Sequence, residues 1–343
     1  MKKTMLLLGI GLILSVFSCS YRTPQQISDN IVDTISYIPY YHNPHGSCII
    51  VEGSVNDSVP AVFELDSGVS IVDIIIDSAF FFDNFDTAAF KRQRFPKMMY
   101  YNEFYEGKLK IQINNHTFIA EKILINNFNI THHHGVISNA ILGAKLFENK
   151  ITFFDFEKRR LAFVDSIRKD SSYTMLNFKL PRGDSVIREL KYIEIGGFKD
   201  KDGRPIQTQF LFDLGNAFAA LMIKNELGVN ISNRINNQIE AYAIGSWNTP
   251  IKQIKGNIDS LIIGSFALKN PTVAYSTEKG IMDPQSQMMS GDGLIGLPFL
   301  VRFNLIVDYI NNVLYLKPNS YFETGAPYYW DETKDSIYLK NNI

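Results

Sequence analysis

One unit of this chain is written twice, and a duplicated unit restricts the fold to two equivalent halves. The first copy reads Val62-Phe63-Glu64-Leu65-Asp66-Ser67-Gly68 and the second Gln209-Phe210-Leu211-Phe212-Asp213-Leu214-Gly215. Eight residues after each Asp comes an aliphatic run, Ile74-Ile75-Ile76 in one copy and Leu221-Met222-Ile223 in the other. Farther on, Ile141-Leu142-Gly143 is matched by Leu294-Ile295-Gly296. Twelve residues after each of these glycines stands an Asp followed by an aromatic, Asp155-Phe156 and Asp308-Tyr309. Polar turns follow, then the apolar runs Leu161 to Val164 and Val313 to Leu316, so each copy is predicted to end in a hairpin. The spacing from the first Asp to the later Gly is 77 residues in one copy and 83 in the other, a difference expected of loops.

Short alternating runs rich in aromatic and β-branched residues, punctuated by Gly, Asn and Asp, predict strands. The chain carries 25 Phe and 17 Tyr. The fold class expected is mainly β, with two pseudo-symmetric barrel lobes and a cleft between them. Short helices are expected within Ser78 to Phe90 and Gly296 to Arg302. The lobes are assigned to residues 46–170 and 171–343, the second ending in a short tail. The joining stretch lies around Asp165 to Arg188.

An Asp-small-Gly tripeptide alone is ordinary turn chemistry. Its recurrence at the same point of both copies is different, because a pseudo-two-fold arrangement brings equivalent turns together at the axis. Two adjoining carboxyls cannot both ionise easily, so Asp66 and Asp213 would share one proton. The ionised member can take a proton from a water, while the protonated member hydrogen-bonds a carbonyl and then delivers its proton to a leaving amine.

On these motifs the sequence resembles the aspartic-peptidase family, in both its pepsin-like and retropepsin-like branches. It is especially similar to the aspartyl-protease lipoproteins of Bacteroidetes-type bacteria. The resemblance covers about residues 46 to 318. It implies that Asp66 and Asp213 are the catalytic carboxylates, with Ser67, Gly68, Gly215 and Asn216 supporting them. It also implies that the two aliphatic-aliphatic-Gly segments pass beneath the catalytic turns, and that no cofactor or metal is used. Hairpin flaps over an extended substrate are placed at Met98 to Leu109, with Tyr100, Tyr101 and Tyr105, and at Tyr242 to Ile258, with Gly245 and Trp247. The second turn departs from the family pattern at Leu214, where the family carries Thr or Ser. Ser67 can bond across the lobe interface from its side, and Leu214 cannot return the bond.

The N-terminus reads as an export signal. Lys2 and Lys3 precede the apolar run Met5 to Phe17, and Ser18-Cys19-Ser20 follows. The run is short for a membrane span, and a cysteine at the cleavage point resembles a bacterial lipobox. Residues 1–19 are thus read as a lipoprotein signal, Cys19 as the diacylated residue and 20–45 as a polar tether. Cys48 has no internal disulfide partner, so the exported part depends on its core. Asp plus Glu number 35 against 34 Lys plus Arg, leaving no electrostatic footprint for nucleic acid. His132-His133-His134 sits on neighbouring positions whose side chains alternate in direction, so it reads as a solvated loop and not a metal site.

Together these features point to an endopeptidase of the cell envelope, anchored by lipid to the outer or inner membrane. It is expected to act on peptides or proteins as a monomer. A peptide-binding lipoprotein of the same fold with little turnover is the alternative, and Leu214 is its support. A structural or polysaccharide-handling envelope protein is a third.

Overall fold

A computed structural model describes residues 35–42, 49–95, 103–127, 138–167, 170–180, 190–244, 250–277 and 291–325. The fold is mainly β and two-lobed, and the repeat seen in the sequence is a repeat of sheets. In the first lobe the strands Ile49–Val55, Val59–Asp66, Ala140–Gly143, Ile74–Asp77, His116–Asn126 and Glu103–Ile113 lie side by side in that order, and Lys91–Arg94 adds to the last. Ser54 and Val55 pair back onto Gln112 and Ile111, which closes a six-stranded barrel.

The second lobe has the same order: Tyr192–Ile195, Thr208–Phe212, Gly293–Ile295, Leu221–Ile223, Thr272–Ser276, Pro250–Asn257 and Asn236–Ile244. Strand directions agree as well. In each lobe the strand ending at the Asp pairs in parallel with the aliphatic-aliphatic-Gly strand, and the aliphatic run pairs in parallel with a later strand. One path differs. The outer part of the long first-lobe hairpin corresponds in the second lobe to a separate hairpin, Ser260–Ile263 with Phe266–Lys269, tied to the rest by the bridge of Gly196 with Ile262.

Burial follows the pattern of each run. Val59–Asp66 alternates, sending Ala61, Phe63 and Leu65 into the barrel. Ile74–Asp77 and Thr208–Phe212 are buried on both faces, which is why Ile74 to Ile76 and Phe210 to Phe212 read as short continuous apolar runs. The helices Ser78–Asn84 and Leu297–Leu300 form where expected. Asn225–Ile231 is an additional helix, placed after Leu221–Ile223 as Ser78–Asn84 is placed after Ile74–Asp77. No helix among the described residues is long and apolar enough to cross a membrane.

A third sheet joins the lobes. The hairpin Ile151–Asp155 with Arg160–Val164 from the first copy meets Phe303–Asp308 with Val313–Pro318 from the second. The contact is antiparallel, with Ile151 opposite Asp308 and Phe154 opposite Leu305. Phe63, Phe154 and Phe163 of the first lobe and Phe212, Phe299 and Phe303 of the second belong to one continuous core.

The edges of this sheet correct the expected tether. Residues 38–42 belong to the fold: Ile38–Pro39 pairs with Leu161 and Arg160, and Tyr41–His42 pairs with Ile50 and Ile49. Tyr40 is buried and donates its N–H to the Arg159 carbonyl at 3.0 Å. The opposite edge is Thr174–Asn177, from the joining stretch, and Phe178 N donates to the Asn312 carbonyl at 2.9 Å. The repeat therefore begins earlier in each copy than the motifs show. A short strand that covers a sheet edge needs only two or three apolar residues, too few to stand out in a polar segment.

Phe154 is 3% exposed on the strand that carries the inter-lobe pairing. Phe154→Ala is expected to lower the unfolding free energy by about 3–5 kcal/mol, read as a lower urea midpoint at unchanged slope.

Candidate active site

Each Asp is delivered by the same local device. Val59–Asp66 runs in parallel beside Ala140–Gly143, with Leu65 opposite Leu142 and Asp66 opposite Gly143. Thr208–Phe212 runs beside Gly293–Ile295, and Asp213 N donates to the Ile295 carbonyl at 3.1 Å. The aliphatic-aliphatic-Gly segments thus flank the two turns in the sheet. Each Asp then folds its chain back on itself: Gly68 N donates to Asp66 Oδ1 at 2.7 Å, and Gly215 N donates to Asp213 Oδ1 at 2.9 Å.

The two turns meet. Asp66 and Asp213 are hydrogen-bonded to each other through their side chains. The glycines allow this approach. A Cβ at Gly68 would lie 2.9 Å from Asp213 Oδ1, and one at Gly215 would lie 2.3 Å from Asp66 Cγ, so any side chain at either position drives into the opposite carboxyl.

Burial raises both carboxyls above their ordinary range. Asp213 is raised further, well above that range, because the charge and hydrogen bond of Asp66 add to its burial. For Asp66 the rise is opposed by hydrogen bonds from Asp213 and from the N–H groups of Gly68, Val69 and Gly215. Two buried adjoining carboxyls cannot both ionise easily, so the pair favours a state that holds one proton between them.

Ser67 bridges the lobes. Its hydroxyl donates to the Phe212 carbonyl at 3.0 Å and accepts the N–H of Leu214 at 2.8 Å. Leu214 is buried and returns no side-chain bond. Asn216 does not compensate across the interface. Its Oδ1 accepts Phe218 N at 3.2 Å within its own turn, and its backbone N–H supports Asp213.

Beneath the dyad is a cavity with room for about one water. Leu65, Asp66, Ser67 and Leu214 form its roof, and Thr152, Phe154 and Tyr309 of the inter-lobe sheet are part of its floor. Tyr309 is buried and lines this cavity together with Ser67. Its Asp-aromatic dipeptide is visible in the sequence, but its place beneath the dyad is not. The usable signal is that the matching position of the other copy is Phe156.

Of the expected flap residues, Tyr105 lies at the base of the hairpin formed by Lys91–Arg94 and Glu103–Ile113. Its ring packs on the buried Phe81, with centroids 6.0 Å apart, so it serves the core of the first lobe. The second-lobe hairpin, Asn236–Ile244 with Pro250–Asn257, also forms. Tyr100, Tyr101, Gly245 and Trp247 lie outside the described residues, as do Cys19 and His132-His133-His134.

No protein-family model matches the chain, and no curated protein does. Among solved structures it is similar to an aspartic proteinase from Irpex lacteus, at 12% identity over 84% of this chain and 98% of that one, with a TM-score of 0.46.

Ser67→Ala removes both cross-lobe bonds and leaves a buried N–H unpaired, so it is expected to cost about 2–3 kcal/mol of stability. Leu214→Ser exchanges about 2 kcal/mol of apolar burial for two bonds of about 1 kcal/mol each, and is expected to be nearly neutral. Denaturant unfolding of the two variants beside the unmodified protein checks the contrast.

Proposed function

We propose that this protein is an aspartic-type endopeptidase that hydrolyses peptide bonds of an extended chain held between its lobes. The observation that carries the reading is the buried hydrogen bond between Asp66 and Asp213, one carboxyl from each copy of the repeat. Such a pair suits amide hydrolysis. Asp66, as the ionised member, takes a proton from a water while that water attacks the scissile carbonyl carbon. Asp213 donates its hydrogen bond to the carbonyl oxygen, where negative charge develops. Collapse of the tetrahedral intermediate breaks the C–N bond, and a dyad proton passes to the leaving amine. The sharing of one proton is then restored.

The pH dependence has a fixed sign. Activity requires Asp66 ionised and Asp213 protonated, so it is lost at low pH when Asp66 gains a proton and at high pH when Asp213 loses one. Because both carboxyls are raised, the active window is displaced upward from the ordinary carboxylate range. Stability moves as well. An unfolded Asp releases its proton near pH 3.9, whereas the folded dyad retains it, so stability falls as pH rises above about 4.

Cleavage of a quenched peptide library tests the reading. Asp66→Asn and Asp213→Asn are each expected to lower kcat/KM by about a thousandfold. Asp213→Asn removes the penalty of ionising a buried acid. Its melting temperature is therefore expected to exceed that of the unmodified protein at pH 7 and to match it near pH 3. Peptide binding that survives both substitutions, with no cleavage by the unmodified protein, would transfer the reading to a peptide-binding lipoprotein.

We also propose that the protein is exported and held on the cell envelope by acyl chains on Cys19, supported by the Lys2-Lys3, apolar-run and cysteine order of the leader. The unmodified protein is expected to take up labelled fatty acid and partition into detergent, and Cys19→Ser to do neither.

A further inference from the structure

Val59–Asp66 sends Ala61, Phe63 and Leu65 into the barrel, so Val62, Glu64 and Asp66 lie on its other face. That face is the one Asp66 presents to the Gly215 turn of the second lobe. Glu64 stands two residues before Asp66, about 7 Å away along the strand. It is partly buried, and its neighbours in the sheet are Ile50 on one side and Ile141 on the other. Ile141 packs with Val69, Val72, Ile75 and Leu124, the apolar cluster that follows the Asp66 turn.

Burial alone would favour an aliphatic residue between two isoleucines, and the second copy has one. The pairing that sets Glu64 opposite Ile141 sets Leu211 opposite Leu294. Leu211 is fully buried with Leu190 and Tyr192, and Leu294 packs on the same cluster together with Ile71 of the first lobe. The two walls beside the dyad therefore differ in kind. One carries a carboxylate among aliphatics, and the other carries aliphatics at the matching positions.

We infer that Glu64 is a specificity-determining residue, its carboxylate receiving the cationic end of a lysine or arginine side chain that flanks the scissile bond. This rests on the peptidase reading, because it takes the substrate chain to lie across Asp66 and Asp213. A long cationic side chain suits the wall: its methylene stem lies along Ile141, and its charged head reaches the carboxylate set back from the reacting centre. A carboxylate offers about four lone-pair sites, so Glu64 can take this head without releasing a donor of its own chain. Because the matching wall carries Leu211, the preference for a cation falls on one of the two residues flanking the bond.

The test compares peptides, built on a sequence cleaved in the library, that differ only in one flanking residue. Lysine is set against norleucine, which keeps the stem and lacks the charge. On the unmodified protein kcat/KM is expected to be about thirtyfold higher for the lysine peptide, as for one hydrogen bond to a charged group. The difference is expected in KM and not in kcat, since the contact lies away from the reacting atoms and forms equally in the bound and transition states. In Glu64→Gln the ratio is expected to fall to about one, and in Glu64→Lys a glutamate peptide should be preferred. Binding gives the same ratio without turnover. Paired octapeptides of alanine and phenylalanine, with lysine or norleucine beside a central reduced bond, should differ about thirtyfold in Kd by calorimetry. Equal values for the two peptides on the unmodified protein, including no binding of either, would overturn the inference, and this comparison needs no variant. A lysine preference that Glu64→Gln retains would overturn it as well. If the unmodified protein cleaves no peptide, the peptidase reading falls, while the Kd ratio of the reduced-bond pair still judges Glu64.

Discussion

The antiparallel contact between Ile151–Asp155 and Phe303–Asp308 is the constraint on which the rest of the molecule depends. Each lobe can form its own sheet, but the relation between two bodies is fixed only where their chains share hydrogen bonds. Pairing of Ile151 with Asp308 and of Phe154 with Leu305 sets that relation to a register. A slip of one residue would turn every side chain of one hairpin to the opposite face. Phe154 would leave the floor beneath the dyad, and the two turns above would no longer meet. The approach of two acids, costly in isolation, is tolerated because a well-packed sheet below leaves them no alternative spacing.

The same logic explains why the site is asymmetric although the fold is not. Duplication yields two equal turns, and equal turns bearing equal acids would compete for a single proton. Here the competition is biased. Asp66 receives more support from backbone N–H groups, and Asp213 bears the repulsion of its neighbour in addition to its own burial. Ser67 and Leu214 carry the asymmetry one position further, placing the polar bridge on the side of Asp66.

Much of this was legible in the sequence because the informative residues are constrained by backbone geometry. Gly68 and Gly215 must be glycine, since a Cβ there would enter the opposite carboxyl, so both motifs survive in readable form. The doubly buried strands Ile74–Asp77 and Thr208–Phe212 carry the apolar runs Ile74 to Ile76 and Phe210 to Phe212, which stood out in the sequence. Illegible features were those fixed by distant partners. Nothing local marks Tyr40 as a buried residue of a sheet edge, because its contact with Arg159 spans more than a hundred residues. Nothing in a run of aromatics separates Tyr105, which lies against Phe81, from a ring that would cover a substrate. The short helix Asn225–Ile231 was missed for a related reason: its first copy, Ser78–Asn84, has an Asp77 cap, and it has none, beginning after Lys224 without a side-chain cap.

The break in the second lobe's outer strand bears on how the molecule breathes. Around the first lobe the hydrogen-bonded ring has no edge, since Val55 and Ile111 seal it. Around the second, the hairpin Ser260–Ile263 with Phe266–Lys269 pairs with the strand Tyr192–Ile195 through the bridge of Gly196 with Ile262, by backbone bonds of 2.7 and 2.9 Å. Amide exchange in that wall can start by parting this one bridge, whereas the first wall closes through two residue pairs, Ser54 with Gln112 and Val55 with Ile111. The thinner closure belongs to the lobe that carries Asp213.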